Sequence, residues 1–312
     1  IYGDYDVDGT TSVALAYGFL RKYHSNIDYY IPDRYDEGYG ISETGVRWAA
    51  EQGFTLVIAL DCGIKAVSKV ELANSLGVDF IICDHHLPGP ELPKAFAVLD
   101  PKRLDCDYPF DGLSGCGVGF KLMQAFAIQN TVDIQELYLY LDLVAVSIAS
   151  DIVPVVGENR VLAYFGLQKL NKSPLPGLKA LKNLSGIRGD VTVTRVVFGI
   201  GPRINAAGRI DHAGAAVELL LARTEEEAEE LAAQLDIKND LRKGFDENIT
   251  KEALAIIEEE DQLKKSFSTV LYRENWHKGV IGIVASRCIE KFYRPTIILT
   301  ESNSKATGSA RS

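Results

Sequence analysis

Residues 55–86 read TLVIALDCGIKAVSKVELANSLGVDFIICDHH. Two apolar runs rich in β-formers, at 55–60 and 78–83, flank a segment at 66–76 whose apolar residues recur at helical spacing. Each run ends on an acid: Asp61 in Asp61-Cys62-Gly63, and Asp84 in Asp84-His85-His86. A strand, a helix and a second strand joined this way form a parallel βαβ unit. The alternation continues outward, with strands expected at 1–3, 28–31 and 96–99 and helices at 10–22 and 42–51. The pattern therefore predicts a parallel, doubly wound α/β sheet. Further helical patterns at 118–129, 134–150 and 160–171 run up to a Pro/Gly-containing break at 173–177, where a first domain boundary is expected.

With 312 residues, 46% hydrophobic and 24% charged, the chain can bury a sizeable core, and disorder or low complexity is excluded. Two domains are the expectation. The most apolar stretch, 137–156, carries Asp142, Ser147, Ser150 and Asp151, which makes it a poor membrane span. No signal peptide opens the sequence, so a cytoplasmic protein with no membrane partner is expected. The five cysteines form an odd set with no C-x-x-C pair, which argues for reduced thiols rather than disulfides or a structural zinc site.

The net charge of -10 sits in one place: residues 225–261 hold fourteen acidic and four basic residues, while the rest of the chain balances. Leu231, Leu235, Leu241, Phe245, Ile249 and Ala253 recur near helical spacing there, so the segment reads as a long solvated helix joining two domains. Beyond it, nine Lys or Arg face three Glu, which leaves a phosphate backbone open as a partner. A strand at 268–272, a helix at 280–291 and a strand at 296–300 begin a second α/β unit. It looks unfinished at Ser312, and Ile1 starts inside a strand, so a piece of a longer protein is expected.

The acids and histidines fall where predicted strands end: Asp4, Asp6 and Asp8 after the first, Asp61 after the run at 55–60, and Asp84-His85-His86 after that at 78–83. In a parallel sheet these ends share one edge, where ligands bind at the switch in strand order. Asp151, after the helix ending in Ser150, is placed to close the cluster. Each piece has a plain reading: Asp8-Gly9 as a turn, Asp61 as a helix cap, the His pair as surface or core. Taken together, converging carboxylates would repel unless a divalent cation lay among them. Carboxylates with one or two imidazoles suit Mn²⁺ or Mg²⁺ better than zinc, and two such ions are the arrangement that hydrolyses phosphate esters. Gly115-Cys116-Gly117-Val118-Gly119 opens a helix whose N–H groups, with Lys121, either hold a phosphate or serve tight packing.

The order Gly3-Asp4-Tyr5-Asp6-Val7-Asp8-Gly9, Asp61-Cys62-Gly63, Asp84-His85-His86 and Ser150-Asp151 resembles the DHH phosphoesterase superfamily. The motifs Gly201-Pro202-Arg203-Ile204-Asn205-Ala206-Ala207-Gly208-Arg209, Trp276-His277-Lys278-Gly279-Val280-Ile281-Gly282 and Gly308-Ser309-Ala310-Arg311-Ser312 resemble its single-strand-specific exonuclease branch. The resemblance implies a DHH domain over 1–175, an Arg/Gly segment completing its core over 176–224, the acidic helix over 225–262, and the start of a DHH-associated substrate-binding domain from 263, apparently truncated. It implies two Mn²⁺ ions, with Mg²⁺ an alternative, one held by Asp6 and Asp61 and the other by Asp8, Asp61, His85 and Asp151. Asp4 stands in for a histidine that other branches place where this chain has Tyr2. His86 faces the scissile phosphate and Asp84 orients a metal-bound imidazole. Arg203, Asn205, Arg209, His277, Ser309, Arg311 and Ser312 contact substrate.

The resemblance also implies degradation of single-stranded DNA from its 5′ end to mononucleotides in repair and recombination, with a helicase and a single-strand-binding protein as partners. An oligonucleotide or cyclic-dinucleotide phosphodiesterase is the rival within catalysis. A non-catalytic replication scaffold, as in relatives whose metal motifs have decayed, is the rival outside it.

Overall fold

The computed structural model describes residues 1–312 apart from the side chain of Asp261. It divides into two compact units: Ile1–Gly208 with His212–Leu235, and Arg209–Asp211 with Asp236–Ser312.

The first unit is built on four parallel strands, β1 (Tyr2–Gly3), β2 (Leu56–Leu60), β3 (Asp79–Cys83) and β4 (Ala97–Leu99), in that spatial order. Around them lie α1 (Val7–Leu20), α2 (Glu43–Glu51), α3 (Val67–Ser75) and α4 (Gly115–Gln129). Side chains alternate between the sheet faces. Val57, Ala59, Phe80 and Ile82 pack with Val46 and Ala49 of α2 and Val70 and Ala73 of α3. Leu60 and Cys83 join a second core with Leu15 and Phe19 of α1 and Phe120 of α4. Both faces are covered, which is why β2 and β3 read as continuous apolar runs. The four strands run in sequence order, while the parallel bridge from Tyr2 to Tyr30 lies on the β1 edge away from β2, so the chain reverses its direction across the sheet at β1.

Residues 28–31 do not form a strand. Tyr30 makes a single bridge to Tyr2, and Pro32 follows, which offers no N–H to extend a ladder. The helix expected at 134–150 is two, α5 (Ile134–Tyr138) and α6 (Leu141–Ser150). Asp142, fully buried in the first turn of α6, is held by Lys169 Nζ at 2.8 Å and by the N–H of Leu175 at 2.9 Å. Lys169 belongs to α7 (Gly157–Lys172), and the chain continues through α8 (Pro176–Leu184), α9 (Val193–Arg195), a π-helical turn at Val196–Ile200, α10 (Gly201–Ile210) and α11 (Gly214–Leu221). Pro176, in the expected break, starts α8 inside the first unit.

The acidic segment is one helix, α12 (Glu225–Glu259), followed by the short α13 (Asp261–Lys264). In the second unit β5 (Thr269–Tyr272) pairs parallel with β6 (Thr296–Ser302), which pairs antiparallel with β7 (Lys305–Arg311). Val284, Ala285 and Cys288 of α14 (Ile281–Phe292) pack with Leu271, Ile298 and, from α12, Ile249, Ala253 and Ile257. β7 was not foreseen. Its signal is the two-residue turn Asn303-Ser304, both at positive φ, 52° and 56°, as a tight hairpin requires. No helix among the described residues is long and apolar enough to cross a membrane, and the five cysteines are free.

Lys169→Ala should cost about 3–5 kcal/mol of unfolding free energy, because Asp142 is left charged and buried without its partner. Urea denaturation measures this. A double replacement by Leu at 142 and Met at 169 should recover most of the loss, whereas equal instability of both variants would show that the pair does not set the position of α6.

Candidate active site

The carboxyl ends of β1, β2 and β3 deliver the expected residues to one buried cluster. Asp4, Asp8, Asp61, Asp84 and His85 are all nearly inaccessible, and Asp6 is half-buried. Asp6 caps α1, its Oδ1 accepting from Gly9 N at 3.0 Å. Asp8, in the first turn of the same helix, accepts from Gly115 N at 2.7 Å, Cys116 N at 2.8 Å and the Ser147 hydroxyl at 2.8 Å. The start of α4 is therefore filled by a carboxylate rather than open to a phosphate, and its glycines serve close packing. A Cβ on Gly115 would lie 2.6 Å from Asp61 Oδ1. Lys121 is paired with Glu158 at 2.6 Å.

Asp61 adopts a left-handed backbone, φ 59°, at the end of β2, a conformation that Asp tolerates better than most residues. His85 Nε2 lies 3.1 Å from Asp61 Oδ1, 3.6 Å from Asp151 Oδ2 and 3.7 Å from Asp8 Oδ2. Asp61 Oδ1 and Asp151 Oδ2 are nevertheless buried without a hydrogen-bond partner, as is Asp4 Oδ2. Two sets of donor atoms converge within 4.8 Å, Asp61 with His85 and His86, and Asp8 with His85 and Asp151. Asp4 and Asp6 stand beside these sets without joining them. Buried acceptors that face one another rather than a donor fit a hard divalent cation.

Electrostatics follow from this crowding. Burial, then the charge of Asp6, pushes the Asp4 carboxyl up to about 7. Burial, then Asp8, Asp6 and Asp4, holds Asp61 well above the usual carboxylate range, and burial raises Asp6 and Asp8 as well. Asp84 is the exception. Burial would raise it, but it is held below the ordinary value by hydrogen bonds: Oδ1 accepts from His86 Nδ1 at 2.8 Å and from the N–H groups of His85 and His86, and Oδ2 from Ile64 N at 2.9 Å. Asp84 thus holds the ring of His86. The hydrogen bond to Asp84 raises the His86 pKa, and Tyr39 Oη lies 3.1 Å from its Nε2.

Sequence reasoning missed Tyr39, Ser147 and Asp100. Asp100 directly follows the strand expected at 96–99, is 3% exposed, and burial pushes its carboxyl up to about 6. The rule that singled out Asp61 and Asp84 applies to it equally.

The substrate candidates lie elsewhere in their units. In the first, Arg203 and Asn205 are on α10, and Arg203 donates to the carbonyls of Gly199 at 2.7 Å and Leu184 at 3.3 Å. In the second, Arg209 donates to Gly279 O at 3.1 Å. The His277 ring stacks on Phe245 at 4.6 Å, and its Nδ1 accepts from Gly279 N at 3.2 Å. Ser309 and the exposed Arg311 are on β7, with Ser312 just beyond, and Arg311 donates to Ser309 Oγ at 2.9 Å. Gly282, at the start of α14, leaves room for this pair: a Cβ there would lie 3.1 Å from Ser309 Oγ.

The family model described as the DHH family, N-terminal domain, matches residues 1–148. A solved structure of exonuclease RecJ bound to manganese superimposes with a TM-score of 0.88 at 32% identity, covering all of this chain and 76% of that one. The chain belongs to the DHH family, within its RecJ group. It is 44% identical to the single-stranded-DNA-specific exonuclease RecJ of Bacillus subtilis, over 100% of this chain and 39% of that protein. It is 38% identical to the Escherichia coli RecJ, over 95% and 54%. The chain thus spans about two fifths to one half of the curated relatives it matches. Two further solved structures, RecJ of Thermus thermophilus with Mn²⁺ and with Mg²⁺, match with TM-scores of 0.85 and 0.74 at 30% and 28% identity, covering all of this chain and 44% and 41% of those.

Metal-free stability should depend on pH with a defined sign. The Asp4 carboxyl sits at about 7 in the fold against 3.8 ordinarily, so its contribution is full below 3.8 and is lost as pH rises through 7. Divalent cations relieve this repulsion and compete with protons. The gain in Tm on adding excess Mn²⁺ should therefore widen between about pH 5 and about pH 8. A gain independent of pH across that range would contradict the cluster as the binding site.

Proposed function

We propose that this chain is the catalytic part of a metal-dependent exonuclease that degrades single-stranded DNA from its 5′ end to mononucleotides. The observation that carries this is the convergence of Asp8, Asp61, Asp151 and His85 Nε2, with two carboxylate oxygens buried and unpartnered. The RecJ relatives, named single-stranded-DNA-specific exonucleases, support the substrate, and their Mn²⁺ and Mg²⁺ complexes support the cofactor. Direction, the role in DNA repair and recombination, action in the cytoplasm, and a helicase or single-strand-binding protein as partner rest on the resemblance alone.

Asp6, Asp8, Asp61, His85 and Asp151 would hold two Mn²⁺ or Mg²⁺ ions, with Asp61 common to both. Two such ions supply a nucleophilic water at neutral pH and stabilise charge on the phosphorus oxygens. The chain's own residues do the rest. Asp84 keeps His86 inclined to carry a proton, so this half-exposed imidazolium is suited to face a scissile phosphate as charge donor or general acid. Tyr39 limits its swing. Ser309, Arg311 and Ser312, with Arg209 and His277, offer the second unit's phosphate contacts, and Arg203 and Asn205 those of α10. The intact acid and histidine set speaks against a decayed scaffold.

End-labelled single-stranded DNA, duplex DNA and dinucleotides, each with and without Mn²⁺, separate the readings. Mononucleotides released from the 5′ end of the single strand are expected, and cleavage confined to dinucleotides would favour the small-substrate rival. Asp61→Ala should lose at least one ion by calorimetry and nearly all hydrolysis, whereas His86→Ala should keep its ions and lose about 10²–10⁴-fold in turnover. Two unchanged Mn²⁺ sites in Asp61→Ala would sink the assignment of this residue.

If Arg311 contacts a strand phosphate, Arg311→Ala should lower single-strand affinity for every sequence and reduce the slope of log affinity against log salt by about 0.7. Metal content should not change. An unaltered slope would make Arg311 a purely local partner of Ser309.

A further inference from the structure

The two adjacent histidines are held differently. His86 has both ring nitrogens engaged, Nδ1 with Asp84 at 2.8 Å and Nε2 with Tyr39 Oη at 3.1 Å. His85 turns Nε2 toward Asp61, Asp151 and Asp8, while its Nδ1 is buried without a hydrogen-bond partner. A buried polar atom in that state is costly and calls for an explanation. Asp84, immediately before it in the chain, is already engaged at both oxygens, Oδ1 by the His85 and His86 N–H groups and the His86 ring, Oδ2 by Ile64 N.

A second unexplained atom lies alongside. β3 and β4 pair in parallel with Cys83 opposite Leu99, and Asp84 N donates to Leu99 O at 3.0 Å, which brings Asp100 beside the Asp84-His85 segment. The Lys102 N–H fixes Asp100 through Oδ1 at 2.8 Å. Asp100 Oδ2 is buried and unpartnered, and the group is near enough for the charges of Asp84 and His85 to act on it. Strand register thus brings into one neighbourhood an atom that needs an acceptor and one that needs a donor, which do not hydrogen-bond to each other in this structure.

We propose that Asp100 is the positioning residue of His85, its Oδ2 accepting the Nδ1–H so that the Nε2 lone pair is held toward Asp61 and Asp151. This rests on the reading of the cluster as a cation site. A ligating imidazole commonly passes its other N–H to a carboxylate, which fixes the tautomer and ring plane and makes Nε2 a better donor. The division of labour is then symmetrical: Asp84 serves His86, which faces substrate, and Asp100 serves His85, which faces the ion.

The test uses the whole chain with ¹⁵N-labelled histidine. With Mg²⁺ bound, His85 should carry its proton on Nδ1 in the nitrogen spectrum. A spectrum showing it on Nε2 overturns the proposal without recourse to any variant. Asp100→Ala should lose the fixed tautomer and weaken Mn²⁺ binding about 10–100-fold by calorimetry. Asp100→Asn, whose amide oxygen still accepts, should recover most of that affinity, which a role in folding or bulk charge would not produce. Parent affinity and an unchanged His85 signal in Asp100→Ala overturn the assignment. A parent protein that binds no Mn²⁺ would instead remove the cation reading itself, and this proposal with it.

Discussion

Mutual repulsion among buried carboxylates is the constraint on which the rest of the first unit depends. Asp4, Asp8, Asp61, Asp84 and Asp100 are each at most 3% exposed. Two unit charges 4 Å apart at an effective dielectric near 20 interact by about 4 kcal/mol, so a fully ionised set of this kind would by itself rival the stability of a domain. The fold answers in part with neutral donors. The N–H groups of Gly115 and Cys116 serve Asp8, and those of Ile64, His85 and His86 serve Asp84. Of the oxygens left unanswered, on Asp4, Asp61, Asp100 and Asp151, those of Asp61 and Asp151 are directed at one point near His85 Nε2.

The scaffold explains why such a set can be held at all. β2 and β3 are buried on both faces by two separate cores, so their ends are fixed in position independently of the groups they carry. The left-handed backbone at Asp61 and the approach of Gly115 to its side chain are features a loop would relax away. The helix start of α4, which in other parallel folds meets an anion from outside, is here spent on an internal anion, Asp8. That substitution fixes the acid carried by α1 to the end of α4.

Much of this was legible in the sequence, because strand periodicity and the acid that ends each strand are local signals. Asp61, Asp84 and His85 could be placed at one edge from apolar runs alone. The failures were of two kinds. Asp28–Ile31 has strand-like side chains, but a strand exists only through its neighbours, and a single bridge to Tyr2 is all that precedes Pro32. Which of the two imidazoles Asp84 holds was not legible, because the path of a side chain over two residues is set by tertiary donors such as Ile64 N, which no spacing reveals. The helical state of Gly201–Ile210 was hidden because glycine lowers helix propensity where packing demands it. Asp100, by contrast, obeyed the rule already in use, since it follows a predicted strand as Asp61 does.

The two units carry their charge in opposite ways, and this bears on how a polyanion would be handled. In the first unit the charge that matters is negative and buried, and it attracts a phosphodiester only after cations neutralise it. In the second, positive charge is exposed on short strands and helix ends, Arg311 on β7 among them, where it needs no cofactor to meet a phosphate. α12 is strongly acidic over its first turn, with Glu225, Glu226 and Glu227. The two units thus differ in whether the charge of their candidate residues is buried or exposed.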